Sequence, residues 1–243
     1  MLRFSDARNF GRTLTGLALI AGPLMMLVGG IISPNTDNDN KLKELNSVAA
    51  HKSAYIIGSV LFLVSTIILL AASVGIIHLF RGRRVTLGQI AGSLLVIGTA
   101  TTFAFYAFSV AEYEMVNQPG LNRVELASYL HKANMTASGA PLFILFLLGI
   151  VLGLILLAIA LWRSGLVPKW AAALILVGGV LAFAGGQNQA TNIIDSALLL
   201  IAFVMFGRAV LSMSDEEWDA PRGSREAAPA VPAPAGTPAA GAP

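Results

Sequence analysis

Cysteine is absent from this 243-residue chain, and charged residues are scarce. The absence of cysteine excludes disulfides, thiolate metal sites, cysteine nucleophiles and iron–sulfur clusters. Only 12% of the residues are charged and 56% are hydrophobic, whereas soluble domains average about 25% charged. The composition therefore indicates that much of the chain is in contact with lipid rather than with water.

Charge is missing above all from six long runs that polar segments separate. The first five contain no Asp, Glu, Lys, Arg or His, and the sixth lies between Asp195 and Arg208. A helix needs about 20 mainly apolar residues to cross roughly 30 Å of hydrocarbon. We therefore predict an all-α polytopic membrane protein, a bundle of six transmembrane helices without a separate soluble domain. The predicted spans are residues 13–33, 53–80, 85–111, 138–162, 170–187 and 193–211.

The two ends of the chain are predicted to lie outside the membrane domain of residues 13–212. Residues 1–12 form a short N-terminal segment, and the first span is too long for the h-region of a signal peptide. Residues 213–243 are acidic and then rich in Pro and Ala, a composition that cannot bury enough apolar surface to order itself. We predict a disordered tail there.

The distribution of Lys and Arg predicts the orientation. With both termini in the cytoplasm, eleven basic residues lie on the inner side and five on the outer side, as the positive-inside rule requires. Anionic lipid head groups are the expected partner of this basic inner face. No nucleic acid is needed to explain it.

An internal repeat is predicted from two polar segments, residues 44–52 and 125–132. Both have the pattern Glu-Leu-x-Ser, a short spacer and then His-Lys, and each precedes a span. Both also have apolar residues at amphipathic spacing, which predicts short helices at the outer interface. We infer repeated helical hairpins, with a third hairpin that has lost its outer loop.

The repeated segments supply two candidate pairs of ligand-binding residues, Glu44 with His51 and Glu125 with His131. On a continuous helix each pair shares a face. Such groups could bind a metal ion, ligate a haem or hold a proton. The alternative is that they are solvated at the interface and only anchor their loops. No ligand spacing such as His-x-x-x-His supports a metal, so the sequence assigns neither metal nor cofactor.

A second candidate site surrounds Asp195, which falls early in the sixth span close to Asn192. Glu112 and Glu114 leave the third span on the same side. A carboxylate at or below the membrane interface is costly and usually faces a polar cavity or a partner. These four residues predict an outward-opening polar pocket, and the alternative is a solvated rim.

Other motifs carry less chemistry. Gly149 and Gly153 form a GxxxG pair, which allows close helix approach within the bundle or between protomers. Aromatic residues near span ends, such as Tyr106 and Tyr113, suit interface belts. The chain has no nucleotide loop, serine nucleophile motif or zinc-protease signature, which favours a protein that is not an enzyme.

The turn between the fourth and fifth spans, residues 161–170 with the sequence LWRSGLVPKW, carries a resemblance. It resembles a segment of uncharacterised six-span bacterial membrane proteins, including domain-of-unknown-function families. The resemblance covers spans four and five. It implies the architecture, and it carries no activity and no site residues. The Pro/Ala-rich tail and the Arg/Ala-rich composition indicate a bacterial source, so we predict a bacterial plasma membrane.

Three classes of function remain open at this point. One is a carrier or binding protein for a lipophilic or cationic small molecule that enters from the outer face. Another is a non-catalytic scaffold or regulatory subunit that acts through the tail and the basic inner loops. The third is a membrane-embedded haem or metal protein, or an enzyme, that uses the His/Glu pairs.

Overall fold

The computed structural model describes residues 6–34, 40–81, 86–134, 139–184 and 189–220. Over these ranges the regular structure is helical throughout, as the apolar runs predicted. Ten α-helices and one π-helical segment are present in the described residues: α1 Ala7–Ile32, α2 Lys41–Ala50, α3 Lys52–Leu79, α4 Thr86–Val116, α5 Arg123–Asn134, α6 Gly139–Leu147, the π segment Leu148–Leu152, α7 Gly153–Ser164, α8 Lys169–Ala184, α9 Gln189–Leu211 and α10 Asp215–Asp219.

Within the described ranges five helices are long and apolar enough to cross a membrane, and they make the chain a membrane-embedded protein. They are α1, α3, α4, the continuous helix from α6 to α7, and α9. The predicted span 170–187 coincides with α8, which has 16 described residues. At 1.5 Å per residue that length is about 24 Å, short of the roughly 30 Å of a bilayer core. Six spans therefore remain a prediction.

The long helices form a closed ring in chain order. Each of α1, α3, α4, α7, α8 and α9 packs on its neighbours in the sequence, and α9 returns to pack on α1. Small residues permit this closure: a Cβ on Gly207 of α9 would lie 2.7 Å from the carbonyl oxygen of Gly16 in α1. Glycine is therefore required where the last helix meets the first.

The main apolar core fills one half of this ring. Its fully buried side chains include Leu19, Ile76, Phe80, Leu161 and Phe206. Leu19 lies midway along α1, and the other four lie near the C-terminal ends of α3, α7 and α9, at the end of the bundle where α10 packs. We call this the α10 end, and the opposite end, where α2 and α5 lie, the α2/α5 end.

Helix α10 closes the α10 end, where the sequence predicted the start of a disordered tail. Ser214 caps the helix through a reciprocal pair of hydrogen bonds with Glu217. Trp218 is buried and stacks on His78 of α3 with ring centroids 4.9 Å apart. The prediction of disorder from residue 213 is thus wrong for residues 215–219, because an apolar side chain within an acidic run is buried. Residues 221–243 lie outside the described ranges.

Ionic contacts fasten α10 to two long helices. Arg12 of α1 pairs with Asp215 at 3.0 Å and also donates to backbone carbonyls at the end of α9. Arg81, just after α3, pairs with Asp219 at 2.5 Å. The segment therefore ties α1, α3 and α9 together.

The two polar segments of the predicted repeat are both helices, α2 and α5, and they pack against each other. A second apolar cluster lies between and beneath them, with Leu45, Val48 and Leu130 fully buried. The duplication itself stays a prediction.

Two helix backbones approach closely at the π segment. A Cβ on Gly149 would come within 2.5 Å of the Cα of Gly98 in α4, and a Cβ on Gly153 within 2.9 Å of the side chain of Leu95. The GxxxG pair therefore packs within the bundle. The π turn and this close approach of two backbones occur at the same place in the chain.

Candidate functional site

A polar cavity of about 330 Å³ opens at the α2/α5 end between four long helices. Its walls combine the end of α1, one residue of α2, and the facing sides of α3, α4 and α9. The lining residues are Gly30, Ser33, Pro34, Glu44, Tyr55, Ser59, Phe62, Tyr106, Ser109, Gln189 and Asn192. Hydroxyl, amide and carboxylate groups predominate, so the cavity suits a polar solute within an otherwise apolar bundle.

An ion-paired cluster of three residues borders this cavity. The ammonium of Lys41 lies 2.7 Å from a carboxylate oxygen of Glu112 and 3.0 Å from one of Glu44. Asn40 caps α2 by accepting a hydrogen bond from the backbone amide of Lys43, which places Lys41 in the first turn. Glu112 is only 3% exposed, so Lys41 neutralises a carboxylate that water cannot reach.

Burial and the neighbouring carboxylates have opposite effects on the pKa of Lys41. Desolvation by burial lowers the pKa of its ammonium, but attraction and hydrogen bonding to Glu112 and Glu44 outweigh that effect. The net result is a pKa raised above its ordinary value. Lys41 is therefore charged at neutral pH, and the cluster carries one cation and two carboxylates.

Aromatic side chains form much of the remaining wall. Phe62 and Tyr106 stack nearly parallel, with centroids 4.9 Å apart. Tyr55 stacks on Tyr113 at 6.5 Å and interacts with Ser109 of α4. Tyr106 therefore faces the cavity and the helix bundle, rather than the interface belt that the sequence suggested.

Asp195 follows the cavity wall on α9. Gln189 and Asn192 line the cavity, and Asp195 comes one turn later, so all three lie on one face of the helix. Its side chain is 7% exposed and accepts hydrogen bonds from the backbone amide and hydroxyl of Ser196 at 2.5 and 3.3 Å. It also interacts electrostatically with Tyr106. No cationic side chain pairs with Asp195 in the ranges that the structure describes.

Gln189 joins α9 to the end of α1. Its side-chain amide donates to the carbonyl oxygens of Ser33 at 2.8 Å, Gly30 at 3.4 Å and Ile31 at 3.5 Å. The last carbonyls of a helix have no partners within the helix, so this amide satisfies them. It also holds two walls of the cavity together.

The structure divides the residues predicted from the sequence into two groups. Glu112 and Asp195 are buried, and Glu44 and Asn192 line the cavity. Glu114, Glu125, His51 and His131 are exposed. His51 contacts the carbonyl oxygen of Ser47, and Glu125 accepts a hydrogen bond from Asn122.

The two predicted His/Glu pairs therefore do not form a common site with the buried carboxylates. Among the described residues no three His, Asp or Glu side chains come together in a group that could hold a metal ion. The described structure therefore does not support the hypothesis that these pairs ligate a metal or a haem.

Lys41, Tyr55, Phe62 and Gln189 are among the site residues that sequence analysis did not select. The spacing of two predicted glutamates could have shown that they do not belong to one site. Glu112 and Glu114 are two residues apart, about 200° around a helix, so they cannot share a face. The partners of Lys41 and Gln189 lie on distant helices, and no local pattern indicates them.

Comparison with known proteins identifies the family. No curated protein and no solved structure matches the chain. A family model described as a domain of unknown function (DUF4386) matches residues 14–213. That range contains every long helix from within α1 to the end of α9, and it confirms the resemblance to families of this kind. The chain therefore belongs to the DUF4386 family of domains of unknown function.

Proposed function

We propose that this protein is a membrane-embedded binding protein that takes a small organic cation into the polar cavity from the α2/α5 end. The observation that carries the proposal is Asp195, a buried carboxylate without a cationic partner among the described residues, on the helix face that lines the cavity. An ionisable group within a membrane helix is costly and usually serves a function. A bound cation would offset that cost.

The charge balance around the cavity favours a cation. Glu44, Glu112 and Asp195 provide three carboxylates, and Lys41 provides one ammonium. The stacked rings of Phe62 and Tyr106 offer aromatic faces to a cationic group, an arrangement that stabilises ammonium ligands. The same carboxylates would repel an anionic solute.

The size of the cavity limits the ligand. Small-molecule sites range from about 300 to 1,000 Å³, and this cavity has about 330 Å³. It therefore suits an amine with one ring or a short branched chain rather than a peptide or an entire lipid.

The number of membrane spans and the orientation of the protein are also part of the proposal. We propose that α8 completes a sixth span, and that both termini face the cytoplasm of a bacterial plasma membrane. The supporting observation is the excess of Lys and Arg on the side of the termini. In this orientation the polar cavity opens to the outside.

A binding measurement tests the proposal. The protein, purified in lipid nanodiscs, is titrated with benzylamine, phenethylamine and tetraethylammonium by isothermal calorimetry. We expect at least one probe to bind, and Asp195→Asn to weaken its binding about tenfold, since a hydrogen bond to a charged group contributes about 1.5–3 kcal/mol. Glu114→Gln is the matched control, because it removes an exposed carboxylate near the same end.

Two outcomes would contradict the proposal: the absence of binding by all three probes, and equal binding by wild type and Asp195→Asn. If binding is confirmed, uptake of the bound probe into proteoliposomes distinguishes a carrier from a binding protein. A carrier would show flux that Asp195→Asn abolishes and Glu114→Gln preserves.

A further inference from the structure

A second depression lies on the surface of the α2/α5 end. It measures about 670 Å³ and is formed by α2, the start of α3, the turn after α4 and the start of α5. We call it the basic groove. The residues that matter in it are Asn46, Lys52, Asn117, Leu121, Arg123 and Val124.

Two cations face this groove without an anionic partner. Lys52 and Arg123 are exposed, and neither forms an ion pair with any carboxylate in the described part of the chain. Arg123 instead donates a long hydrogen bond of 3.4 Å to the side-chain oxygen of Asn46. Glu125, the closest carboxylate along the chain, accepts instead from Asn122 at 3.0 Å. The groove therefore offers two free positive charges to an anion.

A buried acceptor lies in the wall of the same groove. The side-chain nitrogen of Asn117 donates to the carbonyl oxygen of Tyr113 at 2.7 Å, while its side-chain oxygen is buried and has no hydrogen-bond partner among the residues that the structure describes. A buried polar atom without a partner costs free energy. A ligand that satisfies this groove would thus combine an anionic group with a hydrogen-bond donor.

Apolar side chains form the rim of the groove. Leu121 is 40% exposed and Val124 is 61% exposed, although both are large aliphatic residues. They lie at the level where α3 begins and α4 ends, both of them helices of membrane-spanning length. Hydrocarbon chains at the edge of a bilayer would cover such a rim.

From these observations we propose that the basic groove binds the head group of a phospholipid in the leaflet at the α2/α5 end. Lys52 and Arg123 hold the phosphate, Asn117 accepts from a hydroxyl or ammonium of the head group, and the acyl chains pass over Leu121 and Val124. A phosphate forms charge-assisted hydrogen bonds with both the ammonium of a lysine and the guanidinium of an arginine. The proposal does not depend on the cation site near Asp195.

Native mass spectrometry of the delipidated protein in maltoside detergent tests this assignment. Titration with dioleoylphosphatidylglycerol, whose head group carries hydroxyl donors, should give one tightly bound lipid per chain. Dioleoylphosphatidylcholine, whose head group has no donor, should bind more weakly. The double variant Lys52→Gln/Arg123→Gln should lose about tenfold or more in affinity for phosphatidylglycerol.

The matched control is Lys43→Gln/Lys132→Gln, which removes the same charge from exposed positions of α2 and α5 outside the groove. It should bind like the wild type. A third variant, Asn117→Leu, should reduce the preference for phosphatidylglycerol over phosphatidylcholine while leaving binding to phosphatidylcholine unchanged.

Three results would overturn the proposal. An equal loss in the control variant would mean that only overall charge matters. Competition by inorganic phosphate at the same concentration as the lipid would mean that the groove takes a free anion. Equal binding of both lipids by wild type and by Asn117→Leu would remove the role of the buried acceptor.

Discussion

Lys41 neutralises buried carboxylate charge at the α2/α5 end of the bundle. It pairs with Glu112 at 2.7 Å and with Glu44 at 3.0 Å, and its side chain is only 16% exposed. Removing one member of a buried pair leaves the other as an uncompensated charge, which costs more than the pair contributes. The stability of this region therefore depends on a residue that sequence analysis did not select.

We expect Lys41→Met to lower the free energy of unfolding by about 3 kcal/mol, measured by thermal unfolding in detergent. The double variant Lys41→Met/Glu112→Gln should recover most of the loss, because the unpaired carboxylate is then absent. Lys43→Met, on the exposed side of the same helix, serves as the control. A double variant as unstable as the single one would contradict this explanation.

The raised pKa of Lys41 also sets the sign of a pH dependence. A cation whose pKa is higher in the folded state stabilises the fold fully below its unfolded value of 10.5, and this stabilisation is lost as pH rises through the folded pKa. We expect the wild type to lose stability above pH 10.5 more steeply than Lys41→Met. Parallel pH profiles of the melting temperature would contradict the assignment.

Sequence analysis selected four residues that lie at the α2/α5 end, because acidic and polar side chains near span ends are rare enough to stand out. Glu44, Glu112, Asn192 and Asp195 all meet at one end. It could not predict that Lys41 pairs with Glu112, since that contact joins α2 to α4 and no local pattern carries it. The exposed His51 and His131 were predicted to bind a ligand only because they occur in the two repeated segments.

At the scale of the element, α10 is a short helix that fastens the α10 end. Asp219 contacts Arg81, Arg8 and His78. Hydrogen bonding to Arg81 holds the pKa of the Asp219 carboxyl below its ordinary value. The contacts therefore persist at neutral pH and are lost only as the medium becomes acidic enough to protonate that carboxyl.

A pair of truncations tests the contribution of α10. We expect removal of residues 221–243 to leave the melting temperature unchanged, because the contacts of Trp218 and Asp219 are retained. Removal of residues 214–243 should lower the melting temperature by several degrees, since a buried indole and the ion pairs of Asp215 and Asp219 are lost. Equal melting temperatures for the two truncated proteins would show that α10 does not stabilise the bundle.

The π segment is the second element with a specific requirement. Gly149→Ala places a methyl group within 2.5 Å of the Cα of Gly98, where only backbone movement can relieve the clash. We expect a loss of about 1–3 kcal/mol in the free energy of unfolding. Gly30→Ala is the control, because a Cβ there meets nothing within 4 Å. A Gly149→Ala variant as stable as Gly30→Ala would contradict the close approach.

At the scale of the whole molecule, the predicted orientation can be measured directly because the chain has no cysteine. Single substitutions Gln118→Cys and Ser212→Cys place thiols at exposed positions of opposite ends. We expect a membrane-impermeant maleimide to label Gln118→Cys in intact cells and Ser212→Cys only after lysis. The reverse pattern would place the polar cavity on the cytoplasmic side.

Much of the global fold could be predicted because the bilayer imposes a strong constraint on composition. The charge-free runs give the long helices to within a few residues at most ends, for example Lys52–Leu79 against a predicted 53–80. The closure of α9 onto α1 could not be predicted, since any order of the helices satisfies the hydropathy pattern. The burial of Trp218 could not be predicted either, because it stacks on His78, which is distant in the sequence.

The ring of helices has a consequence for biosynthesis. Each span packs on the one made just before it, except that α1 receives its second neighbour only when α9 has been synthesised. Until then the glycine face of α1 around Gly16 stays open to lipid. A ribosome-bound chain that ends before α9 therefore exposes a surface of α1 that the finished protein covers.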